Sequence, residues 1–227
     1  LILAPYARRQ PGLSAQVAGV VLNPMNQASA SKVALLGAAD FTWNDTAYDP
    51  ARAHRAAASL LAGGDGPTVD ALLAFFDLEN LAPTSGDGVS QPQAPVLAGQ
   101  LDAFRSAWAA GDRTGAVAGL RPTAERLAGA SDRIRAHVVD PAFVADCGPW
   151  LDATALWGRA LVATLDGLGA RAAGDGDTAE RRFAEADDLV AAASAVHTIE
   201  GETRPQGPVR VADGVLDAFL AEAPGLG

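Results

Sequence analysis

The chain has 227 residues, of which 49% are hydrophobic and 19% charged, and its formal net charge is -10. That length holds one large domain or two modest ones, and the composition supplies a real core, which excludes wholesale disorder. The acidity argues against a nucleic-acid partner, because phosphate-backbone binding needs clustered Lys and Arg, and here Lys32 is the sole lysine. No apolar run approaches the roughly 20 residues that span a bilayer. Cys147 is the only cysteine, so no intrachain disulfide and no cysteine-based metal cluster can form. Leu1 is not an initiator Met, and LILAPY lacks a basic leader and a small-residue cleavage site, so the chain reads as a segment of something longer.

Two short apolar runs open the chain, at residues 1–3 and 17–22. Neither alternates strictly, and each closes on a proline-containing turn, the pattern of strands buried on both faces. Between them lies the turn-rich ARRQPGLSAQ. Two strands joined by a crossover fit a parallel α/β arrangement, but two strands alone do not make a stable sheet.

From Ser29 the period becomes helical. Ser29 or Ser31 can cap a helix carrying Val33, Leu36 and Phe41 and ending near Trp43 and Asn44. Next, Asp49 before Pro50 reads as an N-cap with proline at the first helical position, and Gly63 and Gly64 stop that helix. PTVDALLAFFDLENL places Val69, Leu72, Leu73 and Phe76 on one face. The run from Ala82 to Pro95 is the clearest loop. Beyond it, Leu101, Phe104 and Trp108 keep helical rhythm, as do Trp150, Ala153, Trp157, Leu161 and Leu168 on a longer helix. Asp177, with Glu180 three residues on, reads as the N-cap of another long helix, and VADGVLDAFLAEA closes the chain. Short polar connections favour antiparallel neighbours, so residues from about 50 to 200 read as a helical bundle.

Little in that bundle reads as chemistry. His54, His137 and His197 are far apart and lack ligand spacing, so surface or core histidines are expected and no metal site is assigned. GGDGP and AGDGDTAE lack the spacing and terminal Glu of a calcium loop and read as helix stops and starts. Adjacent Asp187 and Asp188 fit a solvated face, and the Trp and Phe positions fit the core, with an aromatic sugar platform as the rarer reading. The strand ends differ, because a parallel barrel keeps its chemistry at the carboxyl ends of its strands. Asn23 directly follows Leu22, and its amide, donor and acceptor at once, suits a sugar hydroxyl. Pro24 biases Asn23 toward an extended backbone, and Asn-Pro is equally an ordinary turn opener.

The L-APY strand end, the GVVLNPM strand and turn, the ASKVAL helix start and the ADFTWN…YDP exit, in that order, cover about the first fifty residues. Together they resemble the final strands and last helix of the catalytic barrel in glycoside hydrolase family 84, the β-N-acetylglucosaminidases that include O-GlcNAcases and bacterial proteins labelled hyaluronidases. The resemblance implies a mostly α chain. Residues 1–48 would be the C-terminal remnant of a truncated (β/α)8 barrel, and residues 49–227 the helical bundle domain that follows it. It also implies a bacterial, secreted or cell-surface hydrolase.

By the same resemblance, Asn23 is a substrate-binding residue that hydrogen-bonds hydroxyls of a terminal N-acetylglucosamine, while Met25 and Gln27 shape the pocket. The family's Asp-Asp pair polarises the substrate's own acetamido group and protonates the leaving oxygen. An oxazoline forms, and water opens it with retention, the substrate-assisted exception among glycosidases. Neither Asp of that pair is in this chain, so no catalytic residue is assigned and the chain alone is expected to be inactive. No cofactor is implied. The expected partners are an N-acetylglucosamine-containing glycan or glycoprotein and the N-terminal part of the same enzyme. The competing reading is a non-catalytic helical module that binds carbohydrate or protein.

Overall fold

A computed structural model describes residues 1–81, 92–198 and 208–226. Nine α-helices run in chain order among them: α1 Lys32–Trp43, α2 Pro50–Leu61, α3 Gly66–Leu78, α4 Pro95–Ala109, α5 Arg113–His137, α6 Pro141–Asp146, α7 Gly148–Ala172, α8 Gly176–Ser194 and α9 Leu216–Glu222. The mostly α class expected from the sequence is therefore found. Most of the expected loop from Ala82 to Pro95 lies outside the described residues, and Pro95 itself opens α4.

Five of the helices, α2, α3, α5, α6 and α8, start where an aspartate accepts from the free N–H groups of the first turn. Asp49 accepts from Arg52 N–H at 3.0 Å and Asp65 from Thr68 N–H at 3.0 Å. Asp112 accepts from Gly115 N–H at 2.9 Å, and Asp175 from Thr178 N–H at 3.1 Å. Asp49 was the expected cap of α2, but α8 is capped by Asp175 and not by Asp177. The preceding Gly174 has φ 81°, a left-handed residue that ends α7 and leaves Asp175 as the last residue before the new helix. Asp177 instead lies in the first turn, where its charge still favours the positive end of the helix dipole.

Packing centres on α7, which lies against both α5 and α8. Its Trp150, Leu151, Trp157, Leu161, Leu165 and Leu168 are all buried. Small residues on the same helix let its neighbours approach. A Cβ added to Gly158 would stand 2.3 Å from Ala128 N on α5, and one at Gly167 would stand 2.8 Å from the Phe183 ring on α8. Phe104 on α4 stacks on Trp108 at 5.5 Å between ring centroids and meets the edge of Phe219 on α9 at 5.2 Å, which seals the C-terminal helix to the bundle.

The two apolar runs at the start do not form the expected buried strands, and no strand occurs among the described residues. Residue 2 makes a lone antiparallel bridge to Asn80, while Leu3 N–H donates to the Glu79 carbonyl at 2.8 Å. Leu3 is fully buried, and its own carbonyl accepts from His54 Nε2 at 2.8 Å, so the first run is pinned to α2 and the end of α3. Residues 17–22 have no regular structure, and Val17, Val20, Val21 and Leu22 are exposed, Val21 at 98%. A strand is completed by hydrogen bonds from a neighbour on each edge, and here no described strand lies alongside. The tryptophans of the bundle, Trp108, Trp150 and Trp157, are buried as expected, while Trp43 at the end of α1 is 91% exposed.

Among the described residues the core holds one buried acid, near the Leu1 ammonium. Glu79 is only 1% exposed, with Thr154 of α7 as its polar neighbour, and burial pushes its carboxyl up to about 8.

Two outcomes follow from this packing. Gly158→Ala gains about 1 kcal/mol of helix propensity but forces α5 and α7 apart, so urea denaturation is expected to show a net loss of about 1–3 kcal/mol; a gain would mean the helices can separate freely. For Glu79, the folded carboxyl keeps a proton that the unfolded chain releases near its ordinary 4.5. Its contribution is complete below about pH 4.5 and falls by about 1.4 kcal/mol per pH unit as pH rises toward 8. Glu79→Gln should flatten that slope when unfolding is followed at pH 5.5 and 7.5, and an unchanged slope would assign it elsewhere.

Candidate functional site

Asn23 lies in the exposed segment before α1, and its side chain makes no hydrogen bond to the described residues. Its amide is therefore open to a ligand. The residues that follow it are tied down. Met25 N–H donates to Ser31 Oγ at 3.0 Å, and Ser31 Oγ donates to the Gln27 carbonyl at 2.9 Å. Met25 is half-buried against the core, and its Sδ accepts from the N–H of Ile2 at 3.2 Å. Ser31 does occupy the N-cap position of α1, but its hydroxyl does not cap the helix. It bonds backward and closes the turn 25–31, a local side chain to backbone bond competing with the helix for the same oxygen.

Ser29, the other expected cap, faces a different helix. Its Oγ donates to Asp140 Oδ2 at 2.6 Å, and its N–H donates to Asp146 Oδ2 at 2.6 Å, where Ala30 N–H joins at 3.2 Å. Lys32 Nζ meets the same Asp140 oxygen at 2.5 Å. The other Asp140 oxygen caps α6 through Ala142 N–H at 3.1 Å. Hydrogen bonds from Lys32 and Ser29 hold the Asp140 carboxyl down at about 2. Asp140 is thus an ionised clamp and no proton donor near neutrality.

The remaining motif residues at this end pack on one another. Phe41 meets Tyr6 at 5.8 Å and Tyr48 at 5.4 Å between ring centroids, and Tyr48 OH donates to the Tyr6 carbonyl. Gly37 is required beneath them, because a Cβ there would stand 2.9 Å from Tyr6 Cβ. Asp45 accepts from Gly12 N–H at 2.8 Å, and Asn44 Oδ1 accepts from Thr46 Oγ1 at 2.9 Å, holding the exit from α1.

Burial raises two described carboxyls elsewhere, Glu79 and Asp77. Glu79 keeps its proton but is sealed in the core. Both Asp77 oxygens accept backbone N–H groups, from Val96 at 3.0 Å and Leu97 at 2.9 Å. Burial lowers His54, whose ring N–H donates to Leu3, so it is a structural imidazole. His137 and His197 are exposed, and no group of three or more His, Cys, Asp or Glu side chains gathers for a metal among the described residues. Cys147 is buried and burial pushes its thiol up, which makes it inert. Asp187 and Asp188 lie on the expected solvated face of α8. A groove of about 310 Å³ lies between α3, α4 and α5, lined by Leu73, Leu97 and Leu127 with Asp77, Gln100 and Arg126.

Asp140 and Asp146 had no signal in the sequence, since more than a hundred residues separate them from Ser29. The single hint was that the only lysine, Lys32, stands where the two meet.

Residues 1–77 match the family model of the beta-N-acetylglucosaminidases. No curated protein matches the chain. Among solved structures, CpGH84B superposes with a TM-score of 0.76 at 19% identity, covering 93% of this chain and 34% of that one. CpGH84D gives 0.77 at 16% identity, with coverages of 90% and 34%. A mutant of the O-GlcNAc hydrolase of Thermobaculum terrenum gives 0.77 at 21% identity, with coverages of 97% and 44%. The chain thus spans between a third and less than half of the length of these three structures. The resemblance to glycoside hydrolase family 84 seen in the opening stretch is carried by two comparisons: the beta-N-acetylglucosaminidase pattern over residues 1–77, and a shared fold over most of the chain.

Proposed function

We propose that this chain is the C-terminal portion of a retaining, substrate-assisted β-N-acetylglucosaminidase that hydrolyses terminal N-acetylglucosamine. The observation that carries the reading is the beta-N-acetylglucosaminidase match over residues 1–77, the stretch that includes the Asn23 turn. In this reading residues 1–48 are the last part of a (β/α)8 barrel and residues 49–227 the helical domain behind it. The exposed run at 17–22 supports it, because both faces of that run are apolar and lie open, as a barrel strand's would without its neighbours.

Asn23 is then a substrate contact. Its amide projects from the mouth of the barrel, donates to one sugar hydroxyl and accepts from another. The acids that polarise the acetamido group and protonate the leaving oxygen belong to the N-terminal part of the same enzyme, the chain's first partner. The second is an N-acetylglucosamine-bearing glycan or glycoprotein. The enzyme is a bacterial one, secreted or held at the cell surface.

A corollary is that this chain has no turnover of its own: Glu79 is sealed in the core, and Asp77 and Asp140 are engaged in hydrogen bonds within the fold. Incubation of the 227-residue chain with a chromogenic N-acetylglucosaminide should release no chromophore above the buffer rate; clear turnover would sink the corollary. In the full enzyme, Asn23→Ala should lower kcat/KM by the equivalent of about 1–3 kcal/mol, the loss of hydrogen bonds in a desolvated pocket. Unchanged kinetics would remove Asn23 from the site and favour a binding module.

A further inference from the structure

We infer that Asp140 and Asp146, at the two ends of α6, are positioning residues for the sugar-binding turn that carries Asn23, an inference that rests on the function proposed above. The connection is continuous. Asp140 Oδ2 holds Ser29 Oγ at 2.6 Å and Lys32 Nζ at 2.5 Å, and Asp146 Oδ2 holds the N–H groups of Ser29 and Ala30 at 2.6 and 3.2 Å. One peptide further, Ser31 Oγ receives Met25 N–H at 3.0 Å, two residues from Asn23.

Burial shields one side of this clasp. Ser29 is 4% exposed, Ala30 0% and Ser31 2%, whereas the Asp140 side chain is 21% and Lys32 59% exposed, so the buried donors of residues 29 and 30 form the protected part. The helix that supplies the carboxylates is itself fixed: Phe143 is fully buried against Phe76 at 6.2 Å between ring centroids, and Val139 N–H donates to the Leu61 carbonyl of α2 at 2.9 Å. By contrast, residues 17–24 are exposed and have no regular structure. Among the described residues, the turn's hydrogen bonds to other parts of the fold are those of Ser29 to Lys32 and of Met25 with Ile2. An amide held in place before the sugar arrives loses less freedom on binding, so its hydrogen bonds contribute more to affinity and to transition-state stabilisation.

The clasp also gives the helical region a role in the reaction without any contact to substrate. Its carboxylates act through the backbone of residues 29–31, and Asn23 remains the group that touches the sugar.

Two measurements test this. In the 227-residue chain, hydrogen exchange at the Met25 and Ser31 amides should quicken at least tenfold in Asp146→Ala and in Ser29→Ala, with α7 amides unchanged. Equal exchange in wild type and variants would overturn the clasp. In the full enzyme, the same two substitutions should raise KM for a chromogenic N-acetylglucosaminide about five- to twentyfold at intact Tm. Adding either to Asn23→Ala should change KM little further, because the amide they position is gone. Fully multiplicative effects, or a lowered Tm with KM unchanged, would reduce α6 to a structural role and overturn the inference. If Asn23→Ala alone is silent while Asp146→Ala raises KM, the sugar contact is misassigned and the positioning of Asn23 falls with it; if Asn23→Ala impairs and the clasp variants do not, the proposed function stands and this inference alone fails.

Discussion

The close approach of α7 to α5 is the constraint on which the rest of the chain depends. Where the helices cross, Gly158 leaves no room for even a methyl group against the Leu127 and Ala128 backbone. That contact lets one 25-residue helix bury large side chains toward several neighbours at once, with Trp150, Trp157 and Leu161 enclosed and α8 laid along another side. With α7 surrounded, the apolar faces of the shorter helices have a fixed surface to meet. The ends of those helices, α6 among them, then become dependable anchor points.

The N-terminal segment uses those anchors by two kinds of bond. Residues 1–3 are held by backbone bridging to the end of α3 and by the imidazole of His54, and Tyr6, Phe41 and Tyr48 lock rings around Gly37. Residues 29–32 are held by charge, on Asp140 and Asp146. Apolar packing resists change in pH and salt, whereas the second set needs ionised carboxylates, and Asp140 stays ionised down to about pH 2. Both attachments therefore persist across neutral conditions, and the exposed run at 17–24 is suspended between two fixed points.

Legibility in the sequence followed the range of the interaction. The helix starts at Asp49 and the apolar faces at Val69, Leu72 and Phe76 were readable because a cap and a 3.6-residue period lie within one or two turns. Asp175 was missed by two residues in a run with three closely spaced acids, where only the left-handed Gly174 decides which one caps. Ser31 was assigned to the right position with the wrong partner, since its hydroxyl chooses between the helix it begins and the turn it closes. Asp140 and Asp146 were invisible, because nothing local marks a carboxylate whose partner is more than a hundred residues away. In the candidate site, Asn23 was named from resemblance and from its place after an apolar run, not from periodicity.

That apolar run shows why a pattern and a structure can disagree while both carry information. Val17, Val20, Val21 and Leu22 have the composition of a strand buried on two faces, yet each is exposed in this chain. Hydrophobic pattern reports the surroundings a segment is suited to, and burial reports the surroundings present. A single exposed valine carries no meaning, but four apolar residues within six, next to Asn23 and between two firmly held anchors, form an exposed apolar patch. A run that gains little from its own contacts keeps its place only if its ends are fixed, and Ser29 to Lys32 fix the end nearest Asn23.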